Sequence, residues 1–418
     1  MQVVVFIFYL LLVSFIITII PFFKKSGINK WTLIVLFVVK LLAGIAYGLF
    51  YTLPKYNTGS DTWRFYRLSI SETKWLLSSP VSFAKDLFYH GYANAGNLFK
   101  GENTYWNDLK SNLFVKIMAL FNVLSGSSYY VNIIFFNFLF LFGLVALAKL
   151  LFSIYADRKP HILFGIFLLP STLFWCSGIH KDGLILSAIG VAIYCFWNLL
   201  NQKISIKYIL LILLSFLVIF SLRSYILFAL IPALLCWFLS KRFGKQKALI
   251  FISVYLIGLI AFFAIPGFFP SINLPLFLSA KREEFLQLQA GSLISDSVLS
   301  PTLSGFFSFL PEAIDMAFFR PHVTEMKSFF YVPAIIENLL LLVLITVCLL
   351  RRKTEMNITP ALLCLIAFAL SVLLICGYTV PFTGAIVRYR SLVLPLLVTP
   401  LLCIANFSFY TKNSKLRK

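Results

Sequence analysis

Five short stretches of the chain gather residue types that move protons or hold phosphate. The first is Gly59-Ser60-Asp61-Thr62-Trp63-Arg64-Phe65-Tyr66. Asp61 has two readings. With Ser60 it can cap the amphipathic stretch that runs to about Leu77, because Ser and Asp side chains accept from the free N–H groups of a first helical turn. Alternatively it is a carboxylate at the lipid–water boundary, able to take a proton from a hydroxyl. Trp63, Arg64 and Tyr66 beside it suit a sugar or a lipid phosphate. The second stretch, Trp175 to Asp182, sets His180, Lys181 and Asp182 between two hydrophobic runs. So tight a connection keeps them at the membrane edge, where polar groups need partners. Lys181 and Asp182 either pair with each other or take part in catalysis. His180 either carries a proton or faces headgroups.

The third candidate is Arg223, in a minimal turn between hydrophobic runs and flanked by Ser221 and Ser224. It either snorkels to headgroup phosphates or binds a substrate phosphate. The fourth is Phe319-Arg320-Pro321-His322-Val323-Thr324-Glu325. The planar fork of Arg320 matches two phosphate oxygens, and Glu325 is either a solvated charge or a substrate contact. The fifth is Arg388-Tyr389-Arg390, two close arginines around a tyrosine, which read as a diphosphate clamp or as headgroup anchors. Residues 85–112 add Tyr89, His90, Tyr92, Asn94, Asn97, Asn103, Tyr105, Trp106, Asn107 and Asn112. That composition suits a carbohydrate, or an ordinary interfacial loop. No histidine spacing points to a metal. The seven cysteines form no Cys-x-x-Cys pair and lie in or beside apolar runs, so they read as small apolar residues.

The elements that must position these groups follow from composition. Of 418 residues, 60% are hydrophobic and 12% charged, about half the charge of a soluble domain. That excludes a soluble globule and a disordered chain. Hydrophobic runs near 1–21, 31–53, 129–153, 162–176, 183–200, 206–222, 225–240, 248–266, 332–350, 358–376 and 391–410 predict an all-α polytopic membrane protein of about eleven spans, within a range of 10–13. A twelfth run, 113–124, is too short to cross and is expected to re-enter or lie on the surface. The first segment lacks a basic n-region and reads as a retained helix. The chain forms one membrane domain, 1–418, with two long loop regions, 54–128 and 267–331.

The net charge of +21 is largely a topology signal. The short connections on one side carry eighteen Lys and Arg against two acids, Asp157 and Glu355. The positive-inside rule makes that side cytoplasmic, with the N-terminus periplasmic and the C-terminus cytoplasmic in a bacterial inner membrane. No nucleic-acid partner is implied. The basic tail is positioned to touch anionic lipid. Both long loops then face the periplasm, and elaborate loops on a rigid scaffold are where function concentrates.

These features resemble the integral-membrane glycosyltransferases of the C superclass (GT-C), which use polyprenyl-phosphate-linked donors. Gly59-Ser60-Asp61-Thr62-Trp63-Arg64-Phe65-Tyr66 looks like the start of their first outer loop, which would give Asp61 the general-base role. Arg388-Tyr389-Arg390, followed by Leu394-Pro395, looks like the ending common among bacterial members. Phe319-Arg320-Pro321-His322-x-x-Glu325 and Trp175-x-Ser177-Gly178-x-x-Lys181-Asp182 look like segments of bacterial envelope-polysaccharide membrane proteins, especially from Bacteroidetes. The chain departs from the superclass in lacking an acidic pair at Asp61 and a large C-terminal domain.

The resemblance implies transfer of a sugar or glycan from a polyprenyl-linked donor to a glycan or lipid acceptor at the periplasmic face, in envelope polysaccharide synthesis. No cofactor and no metal are implied. Asp61, His180, Lys181 and Asp182 are the candidate catalytic groups. Arg64, Arg223, Arg320, Arg388 and Arg390 are the candidate phosphate ligands, and Trp63, Tyr66, Glu325 and Tyr389 the candidate substrate contacts. The alternatives are a Wzy-like polymerase joining lipid-linked repeat units and a lipid-linked glycan flippase or transporter. The intramembrane Lys40 and Glu337 keep the transport reading open.

The charge split makes a direct prediction. Single cysteines placed within 85–107 should label with impermeant reagent from the periplasmic side; labelling from the cytoplasm there would overturn the whole topology.

Overall fold

The computed structural model describes residues 2–57, 60–89, 91–96, 104–201, 204–244, 246–288, 292–326, 328–350 and 358–405. His90, Asn97, Asn103, Lys203, Lys245, Lys327, the basic run 351–353, Glu355 and the basic tail lie outside the described residues. A bilayer core offers no water to unpaired backbone groups, so apolar chain must close its hydrogen bonds within helices. Accordingly most of the described residues are helical; the rest are turns, irregular stretches such as 294–300, and one isolated β-bridge between Leu293 and Phe382.

In chain order the main helices are Gln2–Ile19 (α1), Lys30–Phe50 (α2), Asp61–Ser78 (α3), Tyr105–Ser125 (α4), Tyr129–Ile154 (α5), Lys159–Phe167 (α6), Pro170–Trp175 (α7), Lys181–Asn201 (α8) and Ile206–Phe243 (α9). Then come Lys247–Phe268 (α10), Leu274–Leu286 (α11), Leu303–Ile314 (α12), Val332–Leu350 (α13), Pro360–Thr379 (α14), Thr383–Ser391 (α15) and Leu394–Ile404 (α16). Among the described residues eight helices are long and apolar enough to cross a membrane, and a ninth passage arises if α15 and α16, bent by 62°, are taken together.

The eleven hydrophobic runs therefore map onto fewer unbroken helices, for local reasons. Runs 206–222 and 225–240 are the two arms of α9. At 38 residues it would be about 57 Å long if straight, nearly twice a bilayer core. It folds back instead at Arg223, whose backbone leaves the helical region (φ −153°, ψ 85°). Ile209, Ile212, Leu213 and Phe216 of one arm then line a common apolar groove with Ile231, Leu234, Leu235 and Phe238 of the other. Lys241 returns to donate to Asn201 Oδ1 at the end of α8 (2.8 Å). Run 162–176 divides into α6 and α7, with Pro170 in the first turn of α7, where its missing N–H costs nothing.

The piece 113–124 belongs to a longer helix that is not among those apolar enough to cross. It is the apolar half of α4, a 21-residue helix whose polar first half, Asn107 to Asn112, hides it from a hydropathy count. Helix α4 runs antiparallel to α3. Asn122 donates to Ser69 Oγ (2.9 Å) and Thr73 Oγ1 (3.0 Å), and accepts from Asn132 of α5 (2.6 Å). Lys116 pairs with Glu72 (2.8 Å) and Asp86 (3.1 Å).

Packing density decides which helix is central. The most apolar window of α5 is 83% buried and that of α8 67%, whereas α1 and α10 bury 11% and 6% and sit at the rim. Lipid gives helices no hydrophobic reason to associate, so close backbone approach through small residues must do it. A Cβ on Gly143 of α5 would lie 2.2 Å from the Ser187 backbone of α8, and one on Gly190 would lie 2.2 Å from the Gly143 carbonyl. Gly143→Ala should therefore destabilise the chain by about 1–3 kcal/mol, read as a lower melting temperature in detergent. Gly258→Ala, where an added Cβ meets nothing within 4 Å, is the control and should not lower it.

Candidate functional site

The segment Cys176–His180 enters the bundle between α2 and α5, and buried polar groups fix it there. Lys40 of α2 donates to the Cys176 carbonyl (3.1 Å) and Ser177 Oγ (2.8 Å). Asn137 of α5 donates to the Ser177 carbonyl (2.7 Å). Glycines admit the segment: a Cβ on Gly44 would lie 2.5 Å from the Ser177 carbonyl oxygen, and one on Gly178 would lie 2.1 Å from the Tyr47 ring. The intramembrane Lys40 is thus engaged in holding a loop. The segment ends by starting α8, which sets Lys181 and Asp182 in its first turn, where a carboxylate is favoured by the helix dipole.

Around that helix start the structure gathers groups from four distant parts of the chain. Asp182 is fully buried. Its Oδ1 lies 2.6 Å from Arg223 Nη2, at the fold of α9, and its Oδ2 lies 2.8 Å from Arg388 Nε of α15. His180, equally buried, places Nδ1 2.9 Å from Asp182 Oδ2 and Nε2 3.4 Å from Asp61 Oδ2. Arg388 also reaches Asp61 Oδ2 with both terminal nitrogens at 3.3 Å, and its Nη2 contacts His180 Nε2. The Tyr389 ring lies 4.1 Å from the Arg223 guanidinium carbon.

Asp61 is the first residue of α3, and the Ser60 side chain makes no capping bond, so the capping reading of this pair is set aside. The Asp61 side chain is 41% exposed, the most open of the carboxylates here. Burial pushes its carboxyl up, but the His180 hydrogen bond and the charges of Arg388, His180 and Lys181 outweigh this and hold it well below the usual carboxylate range. Burial raises the neighbouring Tyr51 phenol to about 12, so it stays a neutral donor.

Charge counting singles out one group. Lys181, Arg223 and Arg388 face Asp61 and Asp182, so His180 apart the cluster sets three cations against two carboxylates. Lys181 is the unmatched cation: it is half-buried, 5.1 Å from the centre of the Phe65 ring, and makes no hydrogen bond or salt bridge among the described residues.

The remaining sequence candidates sit elsewhere. Arg388 and Arg390 do not form a clamp, because residues two apart on a helix point roughly 200° apart. Arg390 faces away, buried, with Nη1 donating to the Arg320 carbonyl (3.1 Å). Arg320 spends its fork on Asp315 (Nε to Oδ2, 2.7 Å) and on Glu325, and Asp315 also meets His322 Nε2 at 3.0 Å. Trp63 donates to the Gly48 carbonyl (3.2 Å) and stacks on Tyr129 at 4.1 Å, and Tyr66 donates to the Ser127 carbonyl (2.6 Å). Both lock α3 to the bundle. Arg64 is exposed. Glu337 accepts from the Ser171 amide (3.2 Å) and the Ser171 hydroxyl. Among the described residues no three His, Cys, Asp or Glu side chains are grouped to hold a metal ion.

Sequence reasoning missed the scaffold of the cluster, Asn137 above all. Its signal was an amide inside an apolar run, the same kind of signal that Lys40 gave.

Two substitutions separate the carboxylates. Asp182→Asn strands two guanidiniums in a buried site and should cost about 3–5 kcal/mol. Asp61→Asn, at a partly exposed pair, should cost under about 1 kcal/mol. Thermal unfolding of both variants checks the contrast. Because its folded carboxyl is depressed, Asp61 contributes stability above the unfolded value of 3.8 and loses it only as pH falls well below that. Its pairing should therefore persist at pH 4.

No family model, curated protein or solved structure matches the chain, so the functional reading rests on the chemistry of this cluster.

Proposed function

We propose that the cluster binds the phosphate or diphosphate of a lipid-linked sugar, and that the chain transfers that sugar or glycan to an acceptor hydroxyl at this face of the membrane. The observation that carries the reading is Lys181, a cation in the first turn of α8 that has no carboxylate partner among the described residues and lies within electrostatic reach of Arg388. An incoming phosphate supplies the missing negative charge. Its lipid tail remains among the spans, while the sugar stands over the exposed edge of Asp61.

In this reading the bundle makes eleven crossings, counting both arms of α9, the broken α6–α7 passage and the bent α15–α16 pair. That arrangement is GT-C-like. The face is periplasmic and the membrane is the bacterial inner membrane, in envelope polysaccharide synthesis. Arg388 and Lys181 stabilise the charge that builds on the leaving phosphate, as preorganised donors do. Arg223 does not touch the phosphate; it holds Asp182, which fixes Arg388. Asp61 orients the acceptor hydroxyl and takes its proton. Attack opposite the leaving phosphate inverts the anomeric centre.

A Wzy-like polymerase is the second reading. It is favoured by the way Asp61 is tied to Arg388 instead of standing free. Purified chain in nanodiscs, given polyprenyl-phosphate- and polyprenyl-diphosphate-linked sugars, separates the readings. Arg388→Ala and Lys181→Gln should each lower transfer by about 10²–10³-fold. Asp61→Asn should lower kcat with little change in KM. Full activity in Asp61→Asn removes the base and favours the polymerase. One added sugar identifies a transferase and joined repeats a polymerase. Translocation without glycan change identifies a flippase and defeats both.

A further inference from the structure

The cluster around Asp182 draws on no side chain between 72 and 112, yet that stretch builds a concave surface of its own. Between the later turns of α3, residues 80–96 and the first turns of α4 lies a cavity of about 350 Å³, a size that holds small ligands. Trp75, Tyr92 and Tyr105 supply aromatic walls, and Glu72, Asp86 and Asp108 supply carboxylates.

The frame of the cavity is fixed from behind. Lys116 of α4 is buried, pairs with Glu72 (2.8 Å) and Asp86 (3.1 Å), and lies 4.5 Å from the Trp75 ring centre and 4.0 Å from that of Phe83. Asn112 donates to Asp86 Oδ2 (2.7 Å), and the Tyr105 hydroxyl donates to the Leu87 carbonyl (2.5 Å). The Tyr92 hydroxyl donates to Asp108 Oδ2. Asp108 and Glu72 thus each spend one oxygen inside the protein and keep the other for an incoming donor, because an ionised carboxylate only accepts.

These walls select a neutral sugar. Aromatic rings give apolar surface to the C–H side of a sugar ring, while carboxylates accept from its hydroxyls. An ammonium ligand is disfavoured, because Lys116 already holds the cation–π position over Trp75. An acidic sugar is disfavoured too. Among the described residues no Lys or Arg lines the cavity, and its three carboxylates outnumber Lys116 behind it.

The cavity also stands in line with the phosphate cluster. Helix α3 begins at Asp61, and Glu72 lies farther along it, about 16 Å away at the helical rise. Helix α4 lines the cavity and also sets Trp106 against Phe220 of α9, with ring centres 5.6 Å apart, just before the fold at Arg223. Resting on the sugar-transfer reading, we infer that the cavity holds a neutral residue of the acceptor glycan, several sugars back from the hydroxyl presented to Asp61. The acceptor is then an oligosaccharide, gripped at a distance from its reacting end.

The test uses the full chain in nanodiscs. The probes are neutral tetrasaccharides of gluco-, galacto- and manno-configured hexoses and N-acetylhexosamines. Saturation-transfer spectra should show at least one of them bound. A fluorotyrosine in place of Tyr92 should shift in the fluorine spectrum when it binds, a readout that needs no disruptive variant. Asp108→Asn and Tyr92→Ala, at an exposed and a half-buried position, should each weaken binding about tenfold, the scale of one lost hydrogen bond to a charged group. Neither should lower the melting temperature. A tetragalacturonate should not displace the bound sugar. In turnover, Tyr92→Ala should raise KM for a tetrasaccharide acceptor about tenfold, keep kcat within about threefold and leave KM for a monosaccharide unchanged.

The inference is overturned if no probe binds, if binding leaves the fluorine signal and both variants unaffected, or if the acidic sugar displaces the neutral one. Binding of polyprenyl monophosphate is followed separately in the phosphorus spectrum. Phosphate binding without sugar binding overturns this inference alone. Sugar binding at Tyr92 without phosphate binding defeats the phosphate-site reading, and the acceptor role falls with it.

Discussion

The buried carboxylate of Asp182 holds this end of the bundle together. It joins the first turn of α8, the fold of α9 at Arg223 and the last turn of α15 at Arg388. Each ion alone would be expensive in an apolar interior, and removing one partner leaves the others uncompensated. Three elements far apart in sequence therefore have to meet at one position. The sharp turn at Arg223 has the same cause: the guanidinium must reach Asp182 while both arms of α9 remain in the apolar bundle.

Polar ties of this kind act only on a frame that already brings backbones close. Gly143 and Gly190 let α5 and α8 touch, and Gly44 and Gly178 let Cys176–His180 pass between α2 and α5. Lys40 and Asn137 then satisfy carbonyls that a helix break leaves without partners. A buried lysine in a spanning helix reads as part of a transport path when only the sequence is seen. Here its ammonium replaces backbone hydrogen bonds, which is a structural use of the same charge.

What the sequence made legible follows from the range of each physical signal. Hydropathy is local, so apolar runs and the polar island at 177–182 could be read directly. Amphipathic α4 was half-read, because its polar first half carries no such signal. Which charges meet is a tertiary fact. His180, Lys181, Asp182, Arg223 and Arg388 were singled out one by one, and the bundle brings them together with Asp61. Arg390 and Arg320 were grouped with them by chemical type, and helix geometry separates them. The close spacing of Arg388 and Arg390 suggested a shared ligand, yet it is the spacing that sends them to opposite faces.

That division has a consequence for charge. Had both arginines faced Asp61 and Asp182, the cluster would carry two net positive charges in a weakly screened site. Repulsion there would oppose folding in the absence of ligand. With Arg390 turned toward the Arg320 carbonyl, two guanidiniums are balanced by two carboxylates, and Lys181 alone remains. A site balanced but for Lys181 folds without an anion, which is the charge balance the proposed phosphate site requires. Asp182 holds both guanidiniums in place at this site. The buried ion pairs thus fix three distant elements of the chain to one carboxylate.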